Sequence, residues 1–178
     1  MNKKIGEQEI IEQGRIDLGI EYAAVHLLME LGYHITFAES CTAGLAAGKL
    51  VNVPDASSVL DVSFVTYANE AKVKYVGVSE ESIEKYGVVS EQVAGEMAAG
   101  AAAAMGAEVG VGISGIAGPT GGTADKPIGM VCFGFCINGK THTFTQQFGD
   151  IGRNEVREES VEFCYDQLIE LLSEDLED

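Results

Sequence analysis

Helix-like and strand-like segments alternate along most of this 178-residue chain, and the alternation limits the folds it can adopt. Short runs rich in β-branched, aromatic or small apolar residues predict strands at 33–37, 59–67 and 107–113. The predicted helices cover 9–31, 45–50, 69–75, 91–105 and 154–172, and residues 79–86 form a polar connector with one helical turn. Strands that alternate with helices pair mainly in parallel, with helices packed on the sheet.

A hairpin interrupts the alternation near the C-terminus. Residues 128–137 and 140–148 are both strand-like, and Asn138-Gly139 between them is a strong signal for a two-residue hairpin turn. The sequence therefore predicts an α/β fold of three layers. It has a mixed, mostly parallel sheet, helices on both faces and a C-terminal antiparallel hairpin. Its length fits one domain over 1–178.

The net charge of −17 argues against nucleic-acid binding. A protein that binds nucleic acid needs a basic face, which 11 basic residues among 28 acidic ones do not favour. We expect no membrane partner, because no stretch of the sequence approaches the length of a membrane span. Glu7 and Glu9 occupy the place where a signal peptide has its apolar core, so a cytoplasmic location is expected.

The cysteine spacing gives no indication of a metal site. Cys132 and Cys136 lie on one predicted strand, about 13 Å apart at roughly 3.3 Å per residue, too far to share a metal ion. With Cys164, they are predicted to be buried thiols that pack as small apolar residues. We expect neither a metal nor a cofactor.

Two candidate nucleophiles lie where the first predicted strand turns into a helix. Ser40 and Cys41 stand within Ala-Glu-Ser-Cys-Thr-Ala-Gly at 38–44. The first-turn N–H groups of a helix can hold an oxyanion or a phosphate, and they also stabilise a thiolate. The same position suits a simple helix cap, since serine is a frequent N-cap residue. The segment alone leaves both interpretations open.

A lysine follows the end of the second predicted strand. Because neighbouring strands of an α/β sheet present their ends together, Lys72 could reach Ser40. It can act as a base only if burial or a nearby positive charge lowers its pKa, and the phenol of Tyr67 could take part in that tuning. An ordinary solvated lysine is the alternative.

A glycine-rich loop follows the third predicted strand over residues 114–123. Gly115 and Gly118 let the backbone approach a ligand closely, and Ser114 adds a hydroxyl. Loops favour these residues for conformational reasons too, so an unspecialised loop remains the alternative.

Arg153 and Arg157 lie four residues apart at the start of the last predicted helix, so both can face one site. Arginine binds phosphates and carboxylates through two parallel hydrogen bonds. Ion pairing with Glu155, Glu158 or Glu159 accounts for them equally well.

Five segments in order resemble one known family. They are Ala-Glu-Ser-Cys-Thr-Ala-Gly at 38–44, Val-Thr-Tyr-Ala-Asn-Glu-Ala-Lys at 65–72, Gly-Val-Val-Ser-Glu at 87–91, Gly-Ile-Ala-Gly-Pro-Thr-Gly-Gly-Thr at 115–123 and Lys-Pro-Ile-Gly at 126–129. Together they resemble the CinA C-terminal domain family, whose characterised enzymes are nicotinamide-nucleotide amidohydrolases. The resemblance covers about residues 8–172.

This resemblance implies hydrolysis of the carboxamide of nicotinamide mononucleotide to nicotinate mononucleotide and ammonia, in pyridine nucleotide recycling. It implies Ser40 as the nucleophile, Lys72 as the base and Tyr67 as a helper. Backbone N–H groups of Cys41 and Thr42 would stabilise the oxyanion. The nucleotide phosphate would be held by the glycine-rich loop, with Ser114, Gly115 and Gly118, and by either Arg153 or Arg157.

Relatives further suggest a homo-oligomer and a stand-alone domain, without the pyrophosphatase domain of longer members. The chain departs from the family pattern at Ala43, which is usually glycine, at Ser114, often threonine, and at Thr120, commonly glycine. Two extra residues precede the arginine in Gly-Asp-Ile-Gly-Arg at 149–153. A non-catalytic nucleotide-binding or regulatory member of the fold is therefore the alternative function.

Overall fold

One mixed sheet organises residues 19–177, the part of the chain that the computed structural model describes. Its strands are β1 (Ile35–Glu39), β2 (Phe64–Val65), β3 (Val109–Gly115), β4 (Met130–Ile137) and β5 (Lys140–Gln147). Their order across the sheet is β2-β1-β3-β4-β5. β1 pairs in parallel with β2 and β3, whereas β3 with β4 and β4 with β5 are antiparallel pairs. The predicted mixed α/β fold is confirmed.

Helices cover both faces of this sheet. They are α1 (Ile20–Leu31), α2 (Leu45–Leu50), α3 (Asn69–Val76), α4 (Glu80–Tyr86), α5 (Glu91–Met105) and α6 (Arg153–Glu177). Successive residues of a strand point to opposite faces, so Phe37 packs in the core of α1, α2 and α6, whereas Ala38 packs in the core of α3 and α5. The three predicted layers are confirmed. None of the helices in the described residues is long and apolar enough to cross a membrane.

Several predicted segments differ from the structure. The first and third strands each lie two residues later than predicted. Helix α4 replaces the polar connector, with Ser79 accepting a hydrogen bond from Ser82 N. The predicted strand 59–67 is wrong except at β2, because side chains replace the ladder upstream of it. Thr36 Oγ1 donates to Val62 O and Ser63 Oγ donates to Phe37 O. Residues 9–18 of the first predicted helix lie outside the described part.

The hairpin prediction is confirmed. Asn138 (φ 49°) and Gly139 (φ 81°) both adopt positive φ, which the type I′ turn between β4 and β5 requires.

Strands β3 and β4 press unusually close to α5. A Cβ atom on Gly112 would lie 2.2 Å from Ala94 O, and one on Gly134 would lie 2.3 Å from the same oxygen. Only glycine allows this approach, and the small side chains of α5, such as Ala98, complete it. The small residues at 98–104 predict from sequence that another backbone lies close against this helix, and the structure confirms it. The strand β3 that packs in this way also pairs with β1, and the end of β1 leads into the candidate site.

Candidate active site

Ser40 follows the last residue of β1 and is tied into the sheet. Its N–H donates to Ile113 O of β3 at 2.9 Å, while Thr66 N donates to Glu39 O at 2.9 Å on the other side. The N-cap of α2 is Gly44, without a side-chain cap bond, so the interpretation of Ser40 as a helix cap is wrong. The serine side chain is partly exposed at the end of the strand.

Lys72 meets Ser40 from α3. Its side chain is 1% exposed, so it is not a solvated surface lysine. Its Nζ lies 3.1 Å from Ser40 Oγ and donates to Thr66 O at 2.7 Å and Tyr67 O at 3.3 Å. Burial lowers the pKa of Lys72, partly opposed by the negative charge of Glu70. A larger share of the side chain is therefore neutral than in an ordinary lysine.

The two carbonyl contacts also orient this amine. A neutral lysine has two N–H bonds and one lone pair, and the carbonyls of Thr66 and Tyr67 can take both hydrogens. The lone pair then faces the remaining neighbour, the hydroxyl of Ser40. This geometry suits proton transfer from Ser40 to Lys72.

Glu39, next to Ser40, is a buried residue of the candidate site that the sequence patterns did not single out. Its carboxylate is 0% exposed and accepts hydrogen bonds from the N–H groups of Gly44, Ala46 and Ala47 at 2.9 to 3.1 Å. The positive end of α2 stabilises this buried anion. These helix amides are therefore not available for an oxyanion or phosphate, contrary to the sequence-based interpretation. An acidic residue at the end of an apolar strand, just before a helix, was the available signal.

Arg157, on α6, forms hydrogen bonds with the turn that follows Ser40. Its Nε donates to Cys41 O at 2.9 Å and one terminal nitrogen donates to Thr42 O at 3.2 Å. The other terminal nitrogen contacts Asn154 Oδ1 at 3.3 Å. The guanidinium therefore bonds main-chain carbonyls of the turn.

Arg153 connects the glycine-rich loop to Tyr67. One terminal nitrogen donates to Gly118 O at 2.7 Å and the other to the Tyr67 phenol oxygen at 3.0 Å. Tyr67 is 59% exposed, so its ring is available at the rim of the site. Its backbone carbonyl, and not its phenol, contacts Lys72. The two extra residues before Arg153 thus leave its side chain within reach of the site.

The loop residues are held by packing. Ser114 is buried and its hydroxyl donates to Val88 O at 2.8 Å, so this group secures the scaffold. A Cβ atom on Gly115 would lie 2.6 Å from Val131 Cγ2. Gly118 has φ +82° and its carbonyl faces Arg153. The structure thus brings Gly118 to the site through its backbone and gives Ser114 a structural contact.

Cys41 and Thr42 lie buried in the turn after Ser40. Cys41 is 5% exposed, and burial raises the pKa of its thiol to about 12, although the N–H groups of Cys41 and Thr42 lower it. The thiolate considered from the sequence is therefore disfavoured at neutral pH. The cysteines at 41, 132, 136 and 164 are all free and buried. Within residues 19–177, no group of three or more His, Cys, Asp and Glu side chains could hold a metal ion.

Comparison with known proteins identifies the family of this chain. A family model described as the CinA C-terminal domain matches residues 18–172. The chain belongs to the CinA C-terminal domain family. A CinA-like protein of Kosmotoga olearia is 47% identical over 147 residues, which are 83% of this chain and 35% of that protein. A protein of Alkaliphilus oremlandii described as competence-damage inducible is 45% identical over 155 residues, 87% of this chain and 37% of that protein. The chain thus spans little more than a third of the length of these curated relatives.

Solved CinA structures have the same fold. The competence/damage inducible protein CihA of Agrobacterium tumefaciens superposes with a TM-score of 0.83 at 38% identity, covering 96% of this chain and 99% of that one. A CinA superfamily protein of Escherichia coli gives a TM-score of 0.83 at 33% identity, with 96% and 99% covered. The superposed part of this chain therefore corresponds to nearly the whole of each of those two structures.

Proposed function

We propose that this CinA domain hydrolyses the carboxamide of nicotinamide mononucleotide to nicotinate mononucleotide and ammonia. The observation that carries the proposal is the contact of 3.1 Å between the buried Nζ of Lys72 and Ser40 Oγ. The family includes amidases. An amide is a poor electrophile, so its hydrolysis needs an activated nucleophile, a stabilised oxyanion and a proton for the leaving ammonia.

In the first half of the reaction, Ser40 Oγ attacks the carboxamide carbon while neutral Lys72 accepts the hydroxyl proton. The oxyanion of the tetrahedral intermediate is stabilised by the backbone N–H groups of Cys41 and Thr42. Protonated Lys72 then gives its proton to the amide nitrogen as the carbon–nitrogen bond breaks. Ammonia leaves, and the nicotinoyl group is esterified to Ser40.

In the second half, a water molecule attacks this ester and Lys72 accepts a proton from it. The carbon–oxygen bond to Ser40 breaks, and Lys72 returns the proton to the serine oxygen. The products are the carboxylic acid and the restored Ser40–Lys72 pair. One lysine thus serves as base and acid in turn, and the mechanism uses no group outside the chain besides water.

Arg153 and Tyr67 are the proposed groups for binding the rest of the nucleotide. Arg153 is exposed, and its present partners are a neutral carbonyl and a phenol, which a phosphate dianion can replace with stronger, charge-assisted bonds. The exposed ring of Tyr67 provides an aromatic surface beside the nucleophile for a pyridinium ring.

Ammonia release from nicotinamide mononucleotide is the direct test. Ser40→Ala should abolish it, since the oxygen that forms the ester is lost. Ser57→Ala, which changes an exposed serine, should leave the rate unchanged. Cys41→Ala should retain turnover, because the buried thiol does not react in this mechanism.

Two results would contradict the proposal. One is a Ser40→Ala protein that is folded and releases ammonia at the wild-type rate. The other is wild-type protein that binds the nucleotide in calorimetry without releasing ammonia, which would favour a non-catalytic binding protein of the same fold.

A further inference from the structure

The turn that follows Ser40 is held from two sides by opposite charges. On one side the Glu39 carboxylate accepts three hydrogen bonds from amides at the start of α2. On the other side Arg157, on α6, donates to the carbonyls of Cys41 and Thr42. Tyr165, which is also on α6, holds α2 in place, because its hydroxyl donates to Ala46 O at 2.8 Å.

These contacts set the directions in which the backbone groups of the turn point. In a trans peptide the C=O and the following N–H point in opposite directions. Because Arg157 holds Cys41 O, the Thr42 N–H points away from the guanidinium. The next amide, that of Ala43, is already used, since it donates to Ser40 O at 3.1 Å. Glu39 occupies the amides further along.

We propose that Glu39 and Arg157 are a pair of positioning residues that hold the oxyanion-binding turn behind Ser40. This inference rests on the proposed amidase function. Neither residue touches the substrate: Glu39 acts through the amides of α2, and Arg157 acts through the two carbonyls. Of the two arginines that the family resemblance offers as phosphate ligands, Arg157 is thus assigned to the turn, and the phosphate falls to Arg153.

The burial of Glu39 supports this assignment. A carboxylate that is 0% exposed is costly unless it is paired or fully hydrogen-bonded. Its three amide partners all belong to the turn and the first residues of α2. Those hydrogen bonds therefore stabilise the conformation of the chain that follows Ser40.

Kinetics separate a positioning residue from a substrate ligand. Arg157→Lys keeps the charge but loses the fork that spans two carbonyls, so we expect kcat to fall about 100-fold, the scale of a small misplacement of reacting groups. KM should stay nearly constant. Arg153→Lys is the contrasting variant and should mainly raise KM. Glu39→Gln should lower kcat in the same way as Arg157→Lys, whereas Glu162→Gln, which removes an exposed partner of Lys49, should not.

A second measurement does not depend on turnover. In the wild type Cys41 is buried and its thiol has a pKa of about 12, so iodoacetamide should alkylate it slowly. A loosened turn exposes this side chain, so Arg157→Lys should label Cys41 at least tenfold faster. Because the charge is retained, the increase reports exposure. Cys164, which is 0% exposed on α6, should stay protected and serves as the internal control.

The outcomes are distinct from those that test the amidase itself. If no variant and no wild-type protein releases ammonia, the proposed function fails while selective labelling of Cys41 still supports the positioning pair. The pair is overturned if Arg157→Lys raises KM at constant kcat, which is the behaviour of a phosphate ligand. It is also overturned if labelling of Cys41 is unchanged, or rises only together with that of Cys164.

Discussion

Lys72 meets two requirements of a general base, a lowered pKa and an amine that faces the nucleophile. Its side chain is buried, which lowers its pKa, and two carbonyls orient its amine toward Ser40. The topological argument that neighbouring strands end together indicated that Lys72 could reach Ser40, with a solvated lysine as the alternative. The carbonyl contacts could not be predicted, because they depend on how residues 66–67 turn after β2.

The activity should rise with pH through the titration of Lys72. A base must be neutral, so the rate is low while Lys72 is protonated and increases as the proton is lost. Because burial lowers this pKa, the midpoint of the rising limb of kcat/KM should lie below the ordinary lysine value of 10.5. A pH–rate profile measures it. A rate that falls with increasing pH in this range would contradict the assignment of Lys72 as base.

Replacing Glu70 should change the pH at which the rising limb of kcat/KM has its midpoint. Its negative charge raises the pKa of Lys72, so Glu70→Gln should shift the limb to lower pH. The effect should be clearest at low salt, because Glu70 is exposed. Glu81→Gln, an exposed change on α4, is the matched control and should leave the limb in place. An equal shift in both variants would point to a general effect of net charge.

Ala43 occupies a backbone conformation that suits glycine, the residue that the family resemblance leads us to expect there. Its φ is 50°, and an L-residue pays roughly 1–2 kcal/mol in the left-handed region. Glycine avoids this strain but loses about 0.5–1 kcal/mol in chain entropy. Ala43→Gly should therefore stabilise the fold by about 0.5–1 kcal/mol. Urea unfolding measures this, with Ala103→Gly, in the exposed face of α5, expected to destabilise by about 1 kcal/mol.

At the scale of elements, the strongest constraint is the seam between α5 and the sheet. The alanine run of α5 predicted close packing, but the partners were not identifiable from sequence. Gly110, Gly112 and Gly134 are separated along the chain, and only the antiparallel register of β3 and β4 brings Gly112 opposite Gly134.

Gly112→Ala should be strongly destabilising. Its Cβ would lie 2.2 Å from Ala94 O and 2.8 Å from Ala98 N, and neither backbone atom can yield without moving α5. Overpacking of this kind costs about 1–3 kcal/mol or more. Gly48→Ala is the matched control: no atom lies within 4 Å of its added Cβ, and alanine in a helix gains about 1 kcal/mol. A Gly112→Ala protein as stable as the wild type would show that the seam can open freely.

Strand β2 shows where element prediction failed. Its composition favours a strand over 59–67, but only Phe64–Val65 pair with β1, apart from a single bridge between Ile35 and Leu60. Hydrogen bonds from Thr36 and Ser63 side chains replace the ladder between these points. Propensity does not reveal such competition between side chains and backbone.

At the scale of the whole molecule, the sheet places the site between two cores. Lys72 comes from the layer of α3 and α5, whereas Arg157 and Glu39's partners come from the layer of α2 and α6. The alternation of helices and strands predicted the layers. It could not predict that each layer supplies a different charged group to one turn, because that depends on which face each helix covers.

Helix α3 has few buried side chains, and this affects the order in which parts of the protein unfold in denaturant. Lys72 and Val76 are its only buried residues, so the helix that carries the base is weakly held compared with α5. Segments with little buried surface open locally before the whole domain unfolds. In increasing urea, ammonia release should therefore disappear at a lower concentration than the far-ultraviolet circular dichroism signal. Coincident curves would show that α3 opens only with the rest. With separated curves, the protein loses its base before it loses its fold.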